Sequence, residues 1–242
     1  MDCIKRCELR KVVQDVYRLS GAWDQADLGA GVYVVSDGDD LTLIDTGFRN
    51  KGILILRRIY RLGLAPSRIR HIIITHHHPD HIGSLAALKS ITRAKVIAHK
   101  GDVPYIEGSL PQPGPCRPGL YKKIAEAFNG ILDTEPAGVD IQVDDADELP
   151  VAGGISIIHT PGHTPGSMCI YLKQKNLLFC GDLVARSNGI KVPSLAFTAD
   201  IPQLKQSIRK LAEHDFEVLC FGHGLPIRRD ASKRLKDFAA RL

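Results

Sequence analysis

"ITHHHPDHIG", residues 74–83, packs four imidazoles and a carboxylate into six consecutive positions. It follows an apolar, β-branched run at 70–75 that reads as a strand buried on both faces. In an extended chain alternate side chains share a side, so His76 and His78 point one way and His77 the other. Pro79 disfavours helix for the residue before it, so the extended geometry persists through His78. Asp80 and His81 then open a helix and project from its first turn toward the same space. The stretch therefore offers two pairs, His76 with His78 and Asp80 with His81, and leaves His77 apart. One histidine alone is usually a surface or satisfied core residue, and Asp80 alone would be an ordinary helix cap. Crowded together, imidazole and carboxylate are the ligands a divalent transition metal takes.

Three residues downstream belong with this cluster. His163 in "HTPGHTPGS" and His223 in "CFGHGLP" stand in turns bracketed by glycine, which lets the backbone approach a crowded centre closely. Asp182 in "LLFCGDLV" ends an apolar strand, where an unpaired carboxylate is costly and a metal removes the cost. His71, His99, His159 and His214 read as ordinary surface or core histidines.

Outward from these motifs the chain alternates strands and helices. "GVYVVSDGDDLTLIDTG" reads as a hairpin with its turn at Asp37-Gly38-Asp39. A helix follows, with Ile53, Leu56 and Tyr60 expected on one face and Gly63 ending it. "HIGSLAALKSI" sets Ile82, Leu85, Ala86 and Leu88 at helical spacing, and "AKVIAHK" is a further strand. "SMCIYLKQKNLLFCGD" reads as two strands about a tight turn. Then come a helix with Ile201, Leu204, Ile208 and Leu211 on one stripe and Asp200 as cap, the strand "EVLCFGHG", and a basic closing helix. The halves rhyme: in each, a carboxylate ends one strand and a histidine ends a later one, and strand ends are where α/β folds gather their sites.

One segment breaks the pattern. Residues 108–138 begin rich in Pro and Gly and continue with one short amphipathic helix at 122–132, so they are expected to form a lid inserted into a single domain spanning 1–242.

Composition sets the outer limits. The chain has 242 residues, 44% hydrophobic and 24% charged, long enough for one large α/β domain. Its net charge of +5 comes without a dense Lys/Arg cluster, so no nucleic-acid partner is expected, and no apolar run is long enough for a membrane span. Six cysteines stand without any CxxC pair or disulfide framework, and "MDCIKRCELRK" is too charged for a secretory signal, so a cytoplasmic protein is expected.

"THHHPDHIG" with "LIDTG", "PGHTPGS", "CGD" and "FGHG" resembles the metallo-β-lactamase-fold hydrolase superfamily, over most of the chain from Val32 to about Pro226. The resemblance implies a four-layer αββα sandwich, two mixed sheets flanked by helices, with the site at one edge of both sheets. It implies two divalent metal ions, Zn2+ foremost, with Fe or Mn as alternatives. His76, His78 and His163 would bind one, Asp80, His81 and His223 the second, and Asp182 would bridge them. Asp45 of "LIDTG" would steady the ligands from outside, helped by Thr75. His77 has no role in the family pattern. β-Lactam-hydrolysing members lack an aspartate at the position of Asp182, so the glyoxalase II-like and lactonase-like members are nearer. Glyoxalase II itself carries a helical C-terminal domain for glutathione, whereas only a short helix follows His223 here.

The expected reaction is hydrolysis of an ester, lactone or thioester in a small-molecule substrate. A hydroxide bridging two cations ~3.5–4 Å apart would attack the carbonyl, and Asp80 would carry a proton to the leaving group. Two alternatives stand beside it. One is an iron persulfide dioxygenase-like oxidoreductase with a single metal at the positions of His76, His163 and Asp182. The other is a phosphodiesterase. Lid and homodimer element are both open readings of 108–138.

Overall fold

The computed structural model describes residues 11–19, 29–114 and 133–242. Seven strands form one sheet in sequential order: β1 Lys11–Val13, β2 Val16–Arg18, β3 Tyr33–Asp37, β4 Asp40–Ile44, β5 Ile69–Ile74, β6 Lys95–His99 and β7 Ile141–Val143. The first four pair antiparallel, and β4 through β7 run parallel. A second sheet joins β8 Glu148–Leu149, β9 Ile155–His159, β10 Met168–Leu172, β11 Leu177–Phe179 and β14 Val218–Cys220 in the order β14-β11-β10-β9-β8. A small ribbon, β12 Ala185–Arg186 with β13 Ile190–Lys191, stands apart from both.

Alternation along the strands builds the layers. In β5, Ile72 and Ile74 face a cluster that includes Ile55, Ile59, Leu85 and Leu88 of the helices outside, while Ile73 faces inward. There, with Tyr33, Val35 and Ile97, it meets Ile157, Ile170 and Phe179 of the second sheet. The other face of that sheet, with Ile158, Leu178 and Leu219, packs against Leu204, Ile208 and Leu235. The order helix, sheet, sheet, helix is the expected four-layer αββα sandwich. The helices are α1 Gly52–Arg61, α2 Pro79–Ile82, α3 Leu85–Thr92, α4 Val103–Ile106, α5 Ile201–Ala212 and α6 Ala231–Ala239. Asp200 caps α5 as expected, accepting from the Gln203 N–H at 2.8 Å. No helix among the described residues is long and apolar enough to cross a membrane.

Two local expectations are corrected. On α1 the buried face is Gly52, Ile55, Arg58 and Ile59, while Ile53 and Tyr60 are 54% and 73% exposed. Aliphatic residues occupy both sides of this helix, and a buried arginine completes the inner stripe by donating to the Leu19 carbonyl at 2.9 Å. The helix after the histidines is two, α2 and α3, broken at Gly83-Ser84. The Ser84 hydroxyl there donates to the Phe48 carbonyl and accepts from the Lys51 N–H, tying the break to the chain after β4.

Most of the expected insertion, residues 115–132 with its short helix, lies outside the described residues. Its two ends meet the first half of the fold: the Leu110 N–H donates to Pro104 at 2.9 Å at one end, and at the other the Ala137 N–H donates to Ile106 at 3.0 Å and Glu135 pairs with Arg49 at 2.8 Å.

The two sheets are joined at one edge. Gly31 donates to Gly222, Met168 to Thr75, and the Tyr33 hydroxyl to Phe221, at 2.6, 3.0 and 2.8 Å. The histidine motifs lie along this edge.

Candidate metal centre

β5 ends at Ile74, the chain bends at Thr75, and His78 is extended, with φ and ψ of −63° and 149°. Pro79 occupies the first position of α2, where a missing N–H costs nothing. The alternation therefore runs through the triplet. The His76 Nε2 lies 3.1 Å from the His78 Nδ1, and the His163 ring stands 4.9 and 4.6 Å from these two rings. His77 points the opposite way, stacked on Tyr105 at 4.3 Å with its Nδ1 2.8 Å from the Gln112 Oε1. The one-turn α2 brings Asp80 and His81 back toward the same centre.

Hydrogen bonds behind the rings fix which nitrogen faces inward. The Thr75 hydroxyl donates to the Asp45 Oδ2 at 2.8 Å, so its oxygen is left to accept from the His76 Nδ1–H at 3.1 Å. The same Asp45 Oδ2 accepts from the His81 Nδ1–H at 2.8 Å, and its Oδ1 from the Thr75 backbone N–H at 2.8 Å. The Thr198 hydroxyl donates to the Ser194 carbonyl at 2.9 Å and accepts from the His163 Nδ1–H at 3.2 Å. In His76 and His163 Nε2 is thus left with a lone pair aimed at the centre, while the His81 Nε2 faces the same centre in a ring whose pKa burial lowers but Asp45, Asp80 and Asp182 raise well above the usual histidine range. Asp45 reaches its post from a left-handed backbone conformation, φ 59°, which is costly for a residue other than glycine.

Two carboxylates complete the arrangement. The Asp182 Oδ1 is 3.5 Å from the His81 Nε2, and its Oδ2 is 3.5 and 3.2 Å from the Nε2 atoms of His163 and His223. The Asp80 Oδ2 lies 3.1 Å from the His223 Nε2 and 3.8 Å from that of His81. Three triads fall within 4.8 Å between donor atoms: His76, His78 and His163; His76, His81 and Asp182; Asp80, His81 and His223. All seven residues singled out in the sequence meet here, with Asp45 and Thr75 directly behind them.

The electrostatics divide the cluster. Burial, reinforced by the neighbouring rings, holds His76 and His78 well below the usual histidine range. Burial likewise takes His163 down to about 4. These three are neutral at physiological pH, the form that ligates. On the other side Asp182, with Asp80, pushes His223 up to about 10 against burial. Burial opposes the charge on Asp80, but His81 and His223 outweigh it and draw that carboxyl down to about 2.

The centre opens into a cleft of about 360 Å³, walled on its apolar side by Phe48, Pro193 and Phe197. His78, Asp80, His163, Asp182 and His223 form its floor, and Lys191 of β13 is the lone lysine or arginine among the described residues of its wall. Sequence reading missed Lys191, Phe48 and Phe197. Phe48 follows β4, Lys191 ends β13 and Phe197 lies between β13 and α5, and they share no spacing that marks them.

Known proteins are similar to this chain in sequence and in architecture. The sequence profile of the metallo-beta-lactamase superfamily matches residues 28–223. The chain is 29% identical over 220 residues to the probable metallo-hydrolase YflN of Bacillus subtilis, covering 82% of this chain and 81% of that protein. It is 29% identical over 147 residues to the hydroxyacylglutathione hydrolase of Pseudomonas paraeruginosa, covering 60% of this chain and 43% of the other. The crystal structure of BJP-1, a subclass B3 metallo-beta-lactamase of Bradyrhizobium japonicum, superposes with a TM-score of 0.71 at 23% identity, covering 96% of this chain and 89% of that one.

Proposed function

The chain belongs to the metallo-beta-lactamase superfamily and is a metal-dependent hydrolase, and from that premise we propose that it holds two divalent ions, zinc foremost, and hydrolyses a carboxylic ester, lactone or thioester. Iron and manganese are the alternative metals. His76, His78 and His163 would hold one ion, Asp80, His81 and His223 the other, with Asp182 between them. The observation that carries this reading is a set of buried polar atoms without hydrogen-bond partners among the described residues: the Nε2 of His81 and of His163, and the Oδ1 of Asp182. Such orphans are expensive, and two imidazole nitrogens on either side of one buried carboxylate suit cations between them. The donor set fits a divalent ion of borderline softness.

When bound, the metal pair lowers the pKa of water and polarises the substrate carbonyl. The protein's own groups do the rest. Asp45 and Thr75 hold His76 and His81 in the ligating tautomer. Asp80 borders the cleft floor and is placed to take a proton and return it to the leaving group. Phe48, Pro193 and Phe197 offer an apolar wall for the acyl or ring portion of a small molecule. Lys191 offers a positive charge to an anionic substituent at the rim.

The hydroxyacylglutathione hydrolase named above supports a thioester as one substrate class to test. A cytoplasmic setting is part of the same reading, supported by three buried free cysteines, Cys169, Cys180 and Cys220. Metal analysis of protein purified without added metal, followed by assays on thioester, lactone and phosphodiester panels, tests the proposal. Two zinc ions per chain with carbonyl-ester turnover support it. A single iron with oxygen consumption, or turnover of the phosphodiesters alone, would overturn it.

A further inference from the structure

Asp102 lies outside the cleft lining and outside all three triads, yet it is almost fully buried, 1% exposed, and among the described residues its side-chain hydrogen bonds all go to the two loops that carry the histidines. It follows β6 and stands at the N-cap position of α4, but its side chain does not cap that helix. Instead its Oδ2 accepts from the His77 backbone N–H at 2.8 Å and from the Thr164 hydroxyl at 2.8 Å, and its Oδ1 accepts from the Gly166 N–H at 2.6 Å. The His77 peptide sits between His76 and His78. Thr164 and Gly166 lie one and three residues beyond His163. One carboxylate therefore links a single peptide of the "HHH" run to the turn carrying the third imidazole.

The surroundings are shaped for this contact. A Cβ on Gly166 would sit 2.4 Å from the Asp102 nitrogen and 2.6 Å from its Cγ, so the glycine of "PGHTPGS" is required for the carboxylate to approach. The Ser167 hydroxyl, 2.7 Å from that of Thr164, holds the threonine in place. Among the described residues the His77 N–H has no other acceptor.

We propose that Asp102 is a positioning residue that sets the spacing of His76 and His78 against His163. The inference rests on the reading above that these three imidazoles share one ion. It differs from the role of Asp45, which orients rings through their nitrogens, because Asp102 acts on backbone and reaches no ligand side chain. It also gives position 77 a role independent of its ring, since any residue there with a backbone N–H supplies the donor.

Two variants test this. In Asp102→Asn one oxygen becomes an NH2 group, and either the His77 N–H or the Gly166 N–H then faces a donor. In Thr164→Val one arm is removed at nearly constant volume. Cobalt is titrated into metal-free wild type and variants, following the visible ligand-field bands, with zinc competition for affinity and melting of the metal-free forms as a fold control. The expected result is a 10–100-fold loss of affinity for one of the two ions with altered bands, a smaller loss in Thr164→Val, and kcat falling more than KM rises. Wild-type affinities and bands in both variants would overturn the proposal. If metal-free Asp102→Asn fails to fold, Thr164→Val decides by the same readings. Failure of wild type itself to take up cobalt, or uptake unaffected by His76→Ala, would instead sink the metal reading on which the inference rests.

Discussion

Gly222→Ala is the sharpest probe of the centre, because it alters no ligand and needs no unusual backbone angle. A Cβ at Gly222 would stand 2.1 Å from the Asp182 Oδ1, 2.9 Å from the His81 Cε1 and 3.0 Å from the Gly181 carbonyl. The backbone cannot retreat easily, since Gly222 donates to the Gly181 carbonyl at 2.8 Å and accepts from the Gly31 N–H at 2.6 Å. The carboxylate must therefore withdraw by about 1.3 Å to reach the 3.4 Å at which ordinary contact begins. A misplacement of ~1 Å in a reacting constellation costs ~100-fold, about 2.7 kcal/mol of transition-state stabilisation. The assay is kcat/KM on the best ester, lactone or thioester, with metal content by mass spectrometry on the same samples. Gly52→Ala is the control: its Cβ would meet only ordinary contacts, the nearest with Leu88 at 3.5 Å, so its stability should stay within ~1 kcal/mol of wild type and its activity should not change. Gly222→Ala with wild-type metal content and wild-type kcat/KM would refute the reasoning, for Asp182 would then have no fixed station between the histidines.

His77→Ala should keep its metal and lose about 1–3 kcal/mol of stability, since a buried ring stacked on Tyr105 is removed, whereas His78→Ala should lose metal and activity; equal metal loss in both would contradict the alternation. Asp182→Ala leaves two cations without shared negative charge, so its metal content should fall toward one ion or none, as measured by zinc release to a chromogenic chelator. Replacing 108–138 by a short Gly/Ser linker should preserve metal but shift KM or substrate range if the segment is a lid, or change solution mass if it is a homodimer element; unchanged kinetics and mass would exclude both. Burial first, then the stacked His159 ring 3.8 Å away, lowers His99 to about 4, so its contribution is complete above the ordinary pKa of 6.5 and is lost as pH falls toward 4. The stability difference between wild type and His99→Gln should accordingly shrink over that window, by at most about 3 kcal/mol, in urea melts.

The parts that were legible in the sequence and the parts that were not differ by a physical rule. Residues of the centre such as His76, His78 and Asp80 were legible because metal chemistry calls for rare residue types at close spacing, and the two-residue period of a strand says which of them face together. Alternation was enough to separate His77 from its neighbours. The buried face of α1 was misread because hydrophobicity alone cannot choose between Ile53 and Ile55 when a polar residue, Arg58, completes the inner stripe by bonding to a distant carbonyl. Lys191 and Phe197 escaped for a related reason: a cleft wall is assembled from connections whose meeting depends on how two sheets stack. Asp102 is the instructive case. It stands just past a strand end, in "AHKGDVPYI", where a carboxylate could equally have been a helix cap. Its bonds run to residues 25, 62 and 64 positions away, and a single carboxylate without a neighbouring histidine or cysteine carries no periodic mark. Chemistry that needs several unusual side chains in one place is written locally, while chemistry that needs one ordinary side chain held against distant backbone becomes visible only once the halves of the fold have met.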